Sequence, residues 1–253
     1  MASREIPQTP EPLPAPPLRN LLLEGRWVAE WLSGILGGNP VDLPVGDGHG
    51  VLLLPGFLAG DGSLAPMARL LRRLGYRVYR SGIPINTGPT PATVERLRRR
   101  VPEVIHRSGG PISIIGQSLG GIYAREIARR THGEVRMVIT LGSPFRDSEN
   151  TRAAGLANRL SGRWEKSEAR LRGRLYQPLS VPTTSVYSLT DGIVHWRACL
   201  EEPGPRRENI EVRTSHIGMS MHASVLRIVA DRLAQPPGAW RPWRREGGRI
   251  GNA

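Results

Sequence analysis

The sequence predicts an α/β fold with a mostly parallel sheet and helices on both faces. Short apolar runs bounded by turn residues alternate with amphipathic helical stretches, and this alternation is typical of βαβ units. The chain has 253 residues, 39% of them hydrophobic and 23% charged, a composition that excludes wholesale disorder. No apolar stretch approaches the roughly 18 residues that a membrane-spanning helix needs.

Six short segments are predicted to be strands. The first, 51–54, is continuously apolar between the turn residues at 46–50 and a proline, as expected of a strand that is buried on both faces. Further runs of this kind lie at 76–80, 112–115, 136–141, 184–189 and 210–213.

Five segments have helical periodicity. The first, 18–36, places six apolar residues near one face, and its acidic residues Glu24 and Glu30 favour packing on the domain over binding to an anionic membrane. The segment 92–107 has an amphipathic stripe and is expected to kink at Pro102. The remaining helices are predicted at 64–74, 119–130 and 222–233.

Composition divides the chain into three regions. Residues 1–17 are proline-rich and are expected to form a flexible leader. Residues 18–235 form the α/β domain, in which the polar stretch 145–180 is predicted to be a cap or lid insertion. Residues 236–253 are basic, and we expect a loosely docked C-terminal tail. No signal-peptide pattern is visible, which predicts a cytoplasmic protein.

The charged residues and the single cysteine limit the chemistry. The net charge is +13 but Lys166 is the one lysine, which excludes P-loop, Schiff-base and Ser-x-x-Lys mechanisms. Cys199 alone excludes an internal disulfide and a multi-cysteine metal site. We expect no nucleic-acid partner, because no nucleic-acid module accompanies the arginines at 96–100. A weak association with an anionic membrane surface stays open.

The segment 114–123 combines an apolar strand, a Gly-x-Ser-x-Gly pattern and a helix. Ser118 is predicted to lie on a sharp strand-to-helix turn with unfavourable backbone angles. Gly116 and Gly120 stand two residues to either side of it, where a side chain would collide with the turn. The hydroxyl is then expected at the carboxyl ends of the strands, beside the N-terminus of the next helix. Ser118 is therefore a candidate nucleophile.

Five separated motifs lie in order between residues 50 and 234. They are Leu54-Pro55-Gly56-Phe57, Gly116-Gln117-Ser118-Leu119-Gly120-Gly121, Leu141-Gly142-Ser143-Pro144-Phe145, Thr190-Asp191-Gly192-Ile193-Val194 and Ser215-His216-Ile217-Gly218-Met219. Together they resemble the α/β-hydrolase superfamily, particularly its small lipase- and esterase-like members. Many lipases have His or Trp in place of Gln117 and a His-Gly pair in place of Pro55-Gly56. The resemblance implies the α/β-hydrolase fold and hydrolysis of carboxylic esters, with the substrate left open.

The resemblance also supplies partners for Ser118, since a serine hydroxyl needs a base to act as a nucleophile. His216 follows the last predicted strand, where this fold places its base, and His222 is the alternative. Asp191 follows the preceding strand and would orient the imidazole, with Asp147 as the alternative acid. The predicted catalytic set is therefore Ser118, His216 and Asp191.

The resemblance implies an oxyanion hole formed by the backbone N–H groups of Phe57 and Leu119. No metal or organic cofactor is expected to take part. The substrate is expected to be a small-molecule or lipid ester, and the oligomeric state is not predicted. Candidate residues for the pocket wall are Leu58, Gln117, Ile193 and Met219.

Several other functions are compatible with parts of the sequence. The glycine-rich segment 60–65 imitates a dinucleotide fingerprint, with Arg80 placed to meet a 2′-phosphate, but the preceding strand ends several residues too early. A thioesterase or an acyltransferase would use the same three catalytic residues. A non-catalytic binding protein with a basic surface is a further alternative, because a fold does not fix a function.

Overall fold

The computed structural model describes residues 13–36, 43–131, 133–148, 150–154 and 177–244. The strands are β1 (Gly50–Leu54), β2 (Arg77–Arg80), β3 (Ile112–Gln117), β4 (Val135–Leu141), β5 (Thr183–Ser188) and β6 (Arg207–Val212). They form one sheet in the order β2-β1-β3-β4-β5-β6, in which every neighbouring pair is parallel. The predicted fold class is confirmed.

Helices cover both faces of this sheet. They are α1 (Leu18–Leu23), α2 (Trp27–Leu36), α3 (Ala65–Arg73), α4 (Pro91–Ser108), α5 (Leu119–Arg130) and α6 (Ala223–Leu233). Successive strand side chains point to opposite faces, so Leu52 and Leu54 pack in the core with α4 and α5, whereas Val51 and Leu53 pack with α3 and α6. Within the described ranges, no helix is long and apolar enough to cross a membrane.

The order of the strands creates a crevice between β1 and β3. The chain leaves β1 towards the edge strand β2, and then returns to add β3 and the later strands on the other side of β1. In open parallel sheets, ligands bind outside the carboxyl ends of the strands at such a switch point. Phe57 follows β1 and Ser118 follows β3, so both lie at this crevice.

The N-terminal helical segment differs from its prediction. A 3₁₀ turn at Glu24–Arg26 separates α1 from α2, where a single helix is predicted over 18–36. The segment packs on the domain, as expected, but it does so through its polar side chains: Glu24 and Glu30 are buried, whereas Leu22 is 85% exposed. Periodicity shows that a helix has two unlike faces, but it does not say which of them meets the core.

One other helix departs from its predicted form, and α4 contains the proline at which a kink is predicted. The helix predicted at 64–74 begins with a 3₁₀ turn at Asp61–Leu64 and continues as α3. Helix α4 runs without interruption through Pro102. Because proline has no N–H, the carbonyl of Arg98, four residues earlier, has no hydrogen-bond donor within the helix. Both residues are exposed, so water can donate to that carbonyl.

Parts of the predicted leader and tail contact the domain. The amide of Leu13 donates to Asp147 Oδ2 at 2.8 Å, and the amide of Trp243 donates to Glu208 Oε2 at 2.6 Å. Most of the cap or lid predicted at 145–180 lies outside the described residues, as do the first twelve residues of the leader and the end of the tail.

A buried ion pair holds α5, the helix that follows Ser118. Arg125 of α5 binds Glu201, and both side chains are fully buried. The guanidinium also lies 3.9 Å from the ring centroid of Phe145 and donates to the Gln177 carbonyl. This cluster ties α5 to the segments that follow β4 and β5.

Replacing Glu201 with Ala is expected to lower the free energy of unfolding by about 3–5 kcal/mol, because it removes the counter-charge from a buried guanidinium. The control is the exposed pair Arg99–Glu95 of α4, where Glu95→Ala is expected to cost less than about 0.5 kcal/mol. Urea unfolding followed by circular dichroism measures both variants, and equal losses would contradict the expectation.

Candidate active site

Ser118 lies in a strained turn between β3 and α5. Its φ of 50° and ψ of −120° fall outside the regions that residues with a side chain ordinarily adopt. The turn is tight because α5 begins against the end of β1: a Cβ on Gly120 would lie 2.2 Å from the Leu54 carbonyl oxygen. A Cβ on Gly116 would lie 2.3 Å from the Gly120 carbonyl. The Gly-x-Ser-x-Gly pattern thus has the steric cause predicted for it.

His216 and Asp191 meet in the loops that follow β6 and β5. The imidazole Nδ1 lies 2.6 Å from Asp191 Oδ2, and both side chains are buried. Asp191 Oδ1 accepts the amides of Ile193 at 2.8 Å and Val194 at 2.7 Å, so its own loop fixes the carboxylate. With Nδ1 bound to the carboxylate, Nε2 is the nitrogen that remains for proton transfer.

Contacts between the loops bring His216 to the Ser118 turn. The Ser118 amide donates to the Leu141 carbonyl at 2.8 Å, and a Cβ on the next residue, Gly142, would lie 3.1 Å from His216 Nδ1. The Gln117 side-chain amide donates to the His216 carbonyl at 3.0 Å. None of the hydrogen bonds among the described residues joins the Ser118 hydroxyl to the imidazole. Such bonds are often long in unliganded sites and tighten when substrate binds.

Two backbone N–H groups beside Ser118 are available to a ligand. In the part of the chain that the structure describes, the amides of Phe57 and Leu119 have no hydrogen-bond partner. Leu119 is the first residue of α5, where amides have no partner within the helix. The loop of Phe57 approaches closely, since a Cβ on Gly56 would lie 3.2 Å from Ser118 Cβ. Two such donors can stabilise a developing oxyanion.

Asn86 holds the loop that carries Phe57. Its backbone carbonyl accepts the amide of Leu58 at 2.8 Å, and its side chain donates to the Pro55 carbonyl at 2.9 Å. Its Oδ1 accepts the hydroxyl of Tyr123 from α5 at 3.1 Å. Asn86 is fully buried and Leu58 has a positive φ of 57°, so this network constrains the loop on both sides of the Phe57 amide.

Glu24 of the 3₁₀ turn joins the loop that carries Asp191 to the loop that carries His216. Its Oε1 accepts the amides of Gly192 at 2.8 Å and His216 at 2.9 Å, and its Oε2 accepts that of Ile217 at 3.2 Å. Gly192 follows the candidate acid, and Ile217 follows the candidate base. One buried carboxylate from outside the sheet therefore fixes the backbone on both sides of the histidine–aspartate pair.

Glu30 and Asn20 extend this clamp. Glu30 accepts the Ser215 amide at 2.9 Å and also the Ser215 hydroxyl. Asn20 donates to the carbonyls of Leu189 and Asp191, each at 3.2 Å. The N-terminal segment thus supplies acceptors to both loops and a donor to the aspartate loop. The side chains of Asn20, Glu24 and Glu30 are all buried.

The pKa of His216 is set by opposing influences. Burial acts to lower it, but the charge of Asp191, the hydrogen bond that Nδ1 donates to Asp191 and the charge of Glu24 together raise it above its ordinary value. The environment therefore favours the imidazolium form, which a general base must stabilise once it has accepted a proton.

The alternative base and acid have structural roles. His222 Nδ1 accepts the Ser224 amide at 3.2 Å and caps α6. Asp147 Oδ1 accepts the Asn150 amide at 3.2 Å and caps a turn. Among the five residues weighed for the catalytic set, the geometry therefore favours His216 and Asp191 over these two.

A second serine–histidine–aspartate arrangement lies at the opposite edge of the sheet. His49 Nδ1 binds Asp47, and His49 Nε2 lies 2.8 Å from Ser113 Oγ. Ser113 is fully buried within β3, so a substrate carbonyl cannot reach its hydroxyl. Burial lowers the pKa of His49, the direction opposite to that of His216. The Ser113 hydroxyl is therefore inaccessible to a substrate, whereas Ser118 is partly exposed.

The predicted pocket residues differ in exposure. Leu58 is 50% exposed and Ile193 is half-buried, whereas Met219 is fully buried in the core beneath α6. Gln117 is buried and its amide is bound to the histidine loop. Among the described residues, no group of three His, Cys, Asp or Glu side chains is arranged to hold a metal ion.

The glycine-rich segment at 60–65 is explained by contacts within the chain. Asp61 accepts the amides of Ser81 at 2.9 Å and Gly82 at 2.8 Å, one on each oxygen. A Cβ on Gly60 would lie 1.9 Å from the Pro84 carbonyl oxygen. The carboxylate and the glycine therefore serve the loop that follows β2.

Sequence reasoning missed Asn20 and Asn86, and it did not connect Glu24 and Glu30 with the loops of His216 and Asp191. Asn20 and Glu24 are four residues apart in an otherwise apolar stretch, which is a signal for a shared polar face. Asn86 lies in a loop of turn-forming residues and carries no comparable signal, because its partners are far away in the sequence.

No protein-family model matches the chain, and no curated protein sequence does. Solved structures do match. Lipase B of Aspergillus fumigatus gives a TM-score of 0.56 at 18% identity over 79% of this chain, which spans 56% of that lipase. A pyrethroid hydrolase of Sphingobium faniae gives 0.54 at 19% identity, with 74% of this chain and 98% of that one covered.

A monoacylglycerol lipase of Paleococcus ferrophilus gives a TM-score of 0.54 at 15% identity, covering 75% of this chain and 96% of that one. At such identities the likeness concerns the fold alone, and it agrees with the parallel sheet. The chain has the α/β-hydrolase fold.

Proposed function

We propose that this protein is a serine hydrolase that cleaves carboxylic esters through Ser118, His216 and Asp191. The observation that carries the proposal is the buried pair of His216 and Asp191 beside a strained serine with two unpaired amides. Nucleophile, base, orienting acid and oxyanion donors are thus supplied from four different loops at one edge of the sheet. The lipase and hydrolase neighbours share this fold and support the assignment to ester substrates.

In the proposed mechanism, His216 Nε2 takes the Ser118 proton as the serine oxygen attacks the ester carbonyl carbon. The tetrahedral oxyanion is bound by the amides of Phe57 and Leu119, and removal of one such donor typically costs about 3 kcal/mol of transition-state stabilisation. Asp191 holds the imidazole tautomer and stabilises its cation. The imidazolium then protonates the leaving alcohol as the carbon–oxygen bond breaks.

Water completes the cycle at the acyl-enzyme. His216 takes a proton from water, the resulting oxygen attacks the acyl carbonyl, and Ser118 leaves as it regains a proton. A thioester or an acceptor alcohol could enter the same steps, and a series of p-nitrophenyl esters of increasing acyl length defines the acyl group that the site accepts.

Ser118→Ala is expected to reduce ester hydrolysis by about 10⁴-fold or more and to abolish labelling by a fluorophosphonate probe, because the nucleophile is removed. Hydrolysis of a p-nitrophenyl ester and in-gel detection of the label measure the two effects.

Ser113→Ala is the matched control, because Ser113 belongs to the second serine–histidine–aspartate arrangement but is fully buried. It is expected to retain labelling and turnover. Full activity of Ser118→Ala in a preparation free of host esterases, or loss of labelling in Ser113→Ala alone, would refute the proposed nucleophile.

Glu24→Gln is expected to move the acid limb of the kcat/KM profile to lower pH. Hydrolysis requires neutral His216, so activity rises with pH through the pKa of that imidazole. The Glu24 charge raises this pKa, and its removal therefore lowers the pH at which the base becomes available.

Glu30→Gln is the control for this shift, because Glu30 is a buried carboxylate that binds Ser215, whereas Glu24 binds the amide of His216 itself. Its acid limb is expected to move less than that of Glu24→Gln. A profile of Glu24→Gln that is unchanged, or displaced to higher pH, would contradict the assigned influence of Glu24.

A further inference from the structure

Helices α1 and α2 turn their apolar side chains towards solvent. From Leu18 to Leu32 the buried side chains are those of Asn20, Glu24 and Glu30, and the leucines, valine and tryptophans between them are exposed. This is the reverse of the usual arrangement for a helix on a globular domain, where the apolar stripe faces the core.

The exposed apolar residues are concentrated in one region. Ten of the fourteen large hydrophobic side chains that are exposed among the described residues belong to α1, α2 and the two loops that these helices hold. Scattered exposed hydrophobic residues need no explanation, but a contiguous group marks an interaction site. We name this group the apolar face; it consists of Leu18, Leu21, Leu22, Leu23, Trp27, Val28, Trp31, Leu32, Leu189 and Ile217.

The apolar face reaches the candidate active site. Ile217 follows His216 directly, and the Gln117 side chain, which precedes Ser118, also binds the Ile217 carbonyl at 3.4 Å. Leu189 lies two residues before Asp191, and its carbonyl accepts from Asn20. Whatever covers the apolar face therefore also touches the loops that carry the histidine and the aspartate.

The charges around the apolar face favour an anionic occupant. Both carboxylates of residues 18–32 are turned inward, whereas Arg19 is exposed and Arg26 is partly exposed. The whole chain carries +13, so a second copy would be repelled and an anionic surface attracted. Trp27 and Trp31 add indole rings, which favour the boundary between lipid headgroups and acyl chains.

We propose that the apolar face docks on an anionic lipid surface, with α1 and α2 lying in the plane of the interface. Their leucines and tryptophans enter the boundary between headgroups and acyl chains, and Arg19 lies among the anionic headgroups. The inward-facing carboxylates, which as a sequence feature argue against such a surface, do not meet the lipid because they bind the catalytic loops.

The proposal is tested by cosedimentation of the full chain with vesicles of phosphatidylcholine alone or mixed equally with phosphatidylglycerol. The protein is expected to bind the mixed vesicles more tightly, and added salt is expected to weaken this binding. Leu22→Asp is expected to lower the partition coefficient about tenfold or more, because it withdraws a leucine from the apolar phase. Arg19→Gln is expected to lower it about fivefold on mixed vesicles only.

Val45→Asp is the matched control, since Val45 is 79% exposed, close to the 85% of Leu22, but lies ahead of β1 at the other edge of the sheet. It is expected to bind as the unaltered protein does. Failure of the unaltered protein to bind mixed vesicles, or equal loss in Val45→Asp, would overturn the proposal. So would a dimer in sedimentation velocity that Leu22→Asp dissociates, because the face would then serve a second copy.

Vesicle binding is measured without substrate, so this result is independent of the proposed ester hydrolysis. Vesicle binding without labelling by fluorophosphonate would support the lipid-docking proposal and contradict the proposed hydrolase function. Labelling without vesicle binding would support the hydrolase function and contradict lipid docking.

Discussion

The packing of α5 against the end of β1 is the constraint on which the candidate site depends. Because Gly120 lies against the Leu54 carbonyl, the chain has to turn from β3 into α5 within one residue, and Ser118 takes the strained conformation. The same contact brings the first amide of α5 next to the loop that follows β1, where Phe57 offers the second unpaired amide. The candidate nucleophile and the two candidate oxyanion donors therefore have one steric origin. The alternation of strands and helices decides which residues lie at the crevice.

The positions of His216 and Asp191 depend on a different interaction. Buried carboxylates from the N-terminal segment, outside the sheet, bind the loops that carry these two residues. Removing a carboxylate from water costs several kcal/mol unless hydrogen bonds replace its hydration. Glu24 accepts three backbone amides and Glu30 accepts an amide and a hydroxyl, so each is well compensated. The loops gain acceptors that they cannot provide themselves, and the Glu24 charge also acts on His216. Structural support and electrostatic influence come from the same group.

The sequence was sufficient for features that arise from local chemistry. The strands are short apolar runs, and the Ser118 turn is marked by Gly116 and Gly120, whose absence of side chains the turn requires. It was not sufficient for the orientation of α1 and α2, because their amphipathic pattern is equally compatible with either face meeting the core. The partners that decide this orientation, Gly192 and His216, are more than 160 residues away from Glu24. Asn86 escaped notice for the same reason, since its role follows from the carbonyl of Pro55 and the hydroxyl of Tyr123.

The position of α1 and α2 links the proposed lipid-docking surface to the candidate active site. Their polar side chains hold the loops of Asp191 and His216, and their apolar side chains are exposed to whatever lies outside. Suppose that lipid binds more tightly when α1 and α2 are packed against the two loops. Lipid binding then also stabilises the ordered form of the loops, and by the same free energy, because lipid binding and loop ordering are coupled equilibria. The coupling is reciprocal: any ligand that orders the two loops also favours the helix arrangement that presents the apolar face. A lipid surface would thus raise the population of the arrangement with ordered loops only to the extent that the loops are not already ordered without it. Asn20, Glu24 and Glu30 join the two loops to the helices, so these three side chains are the contacts through which such a coupling would pass.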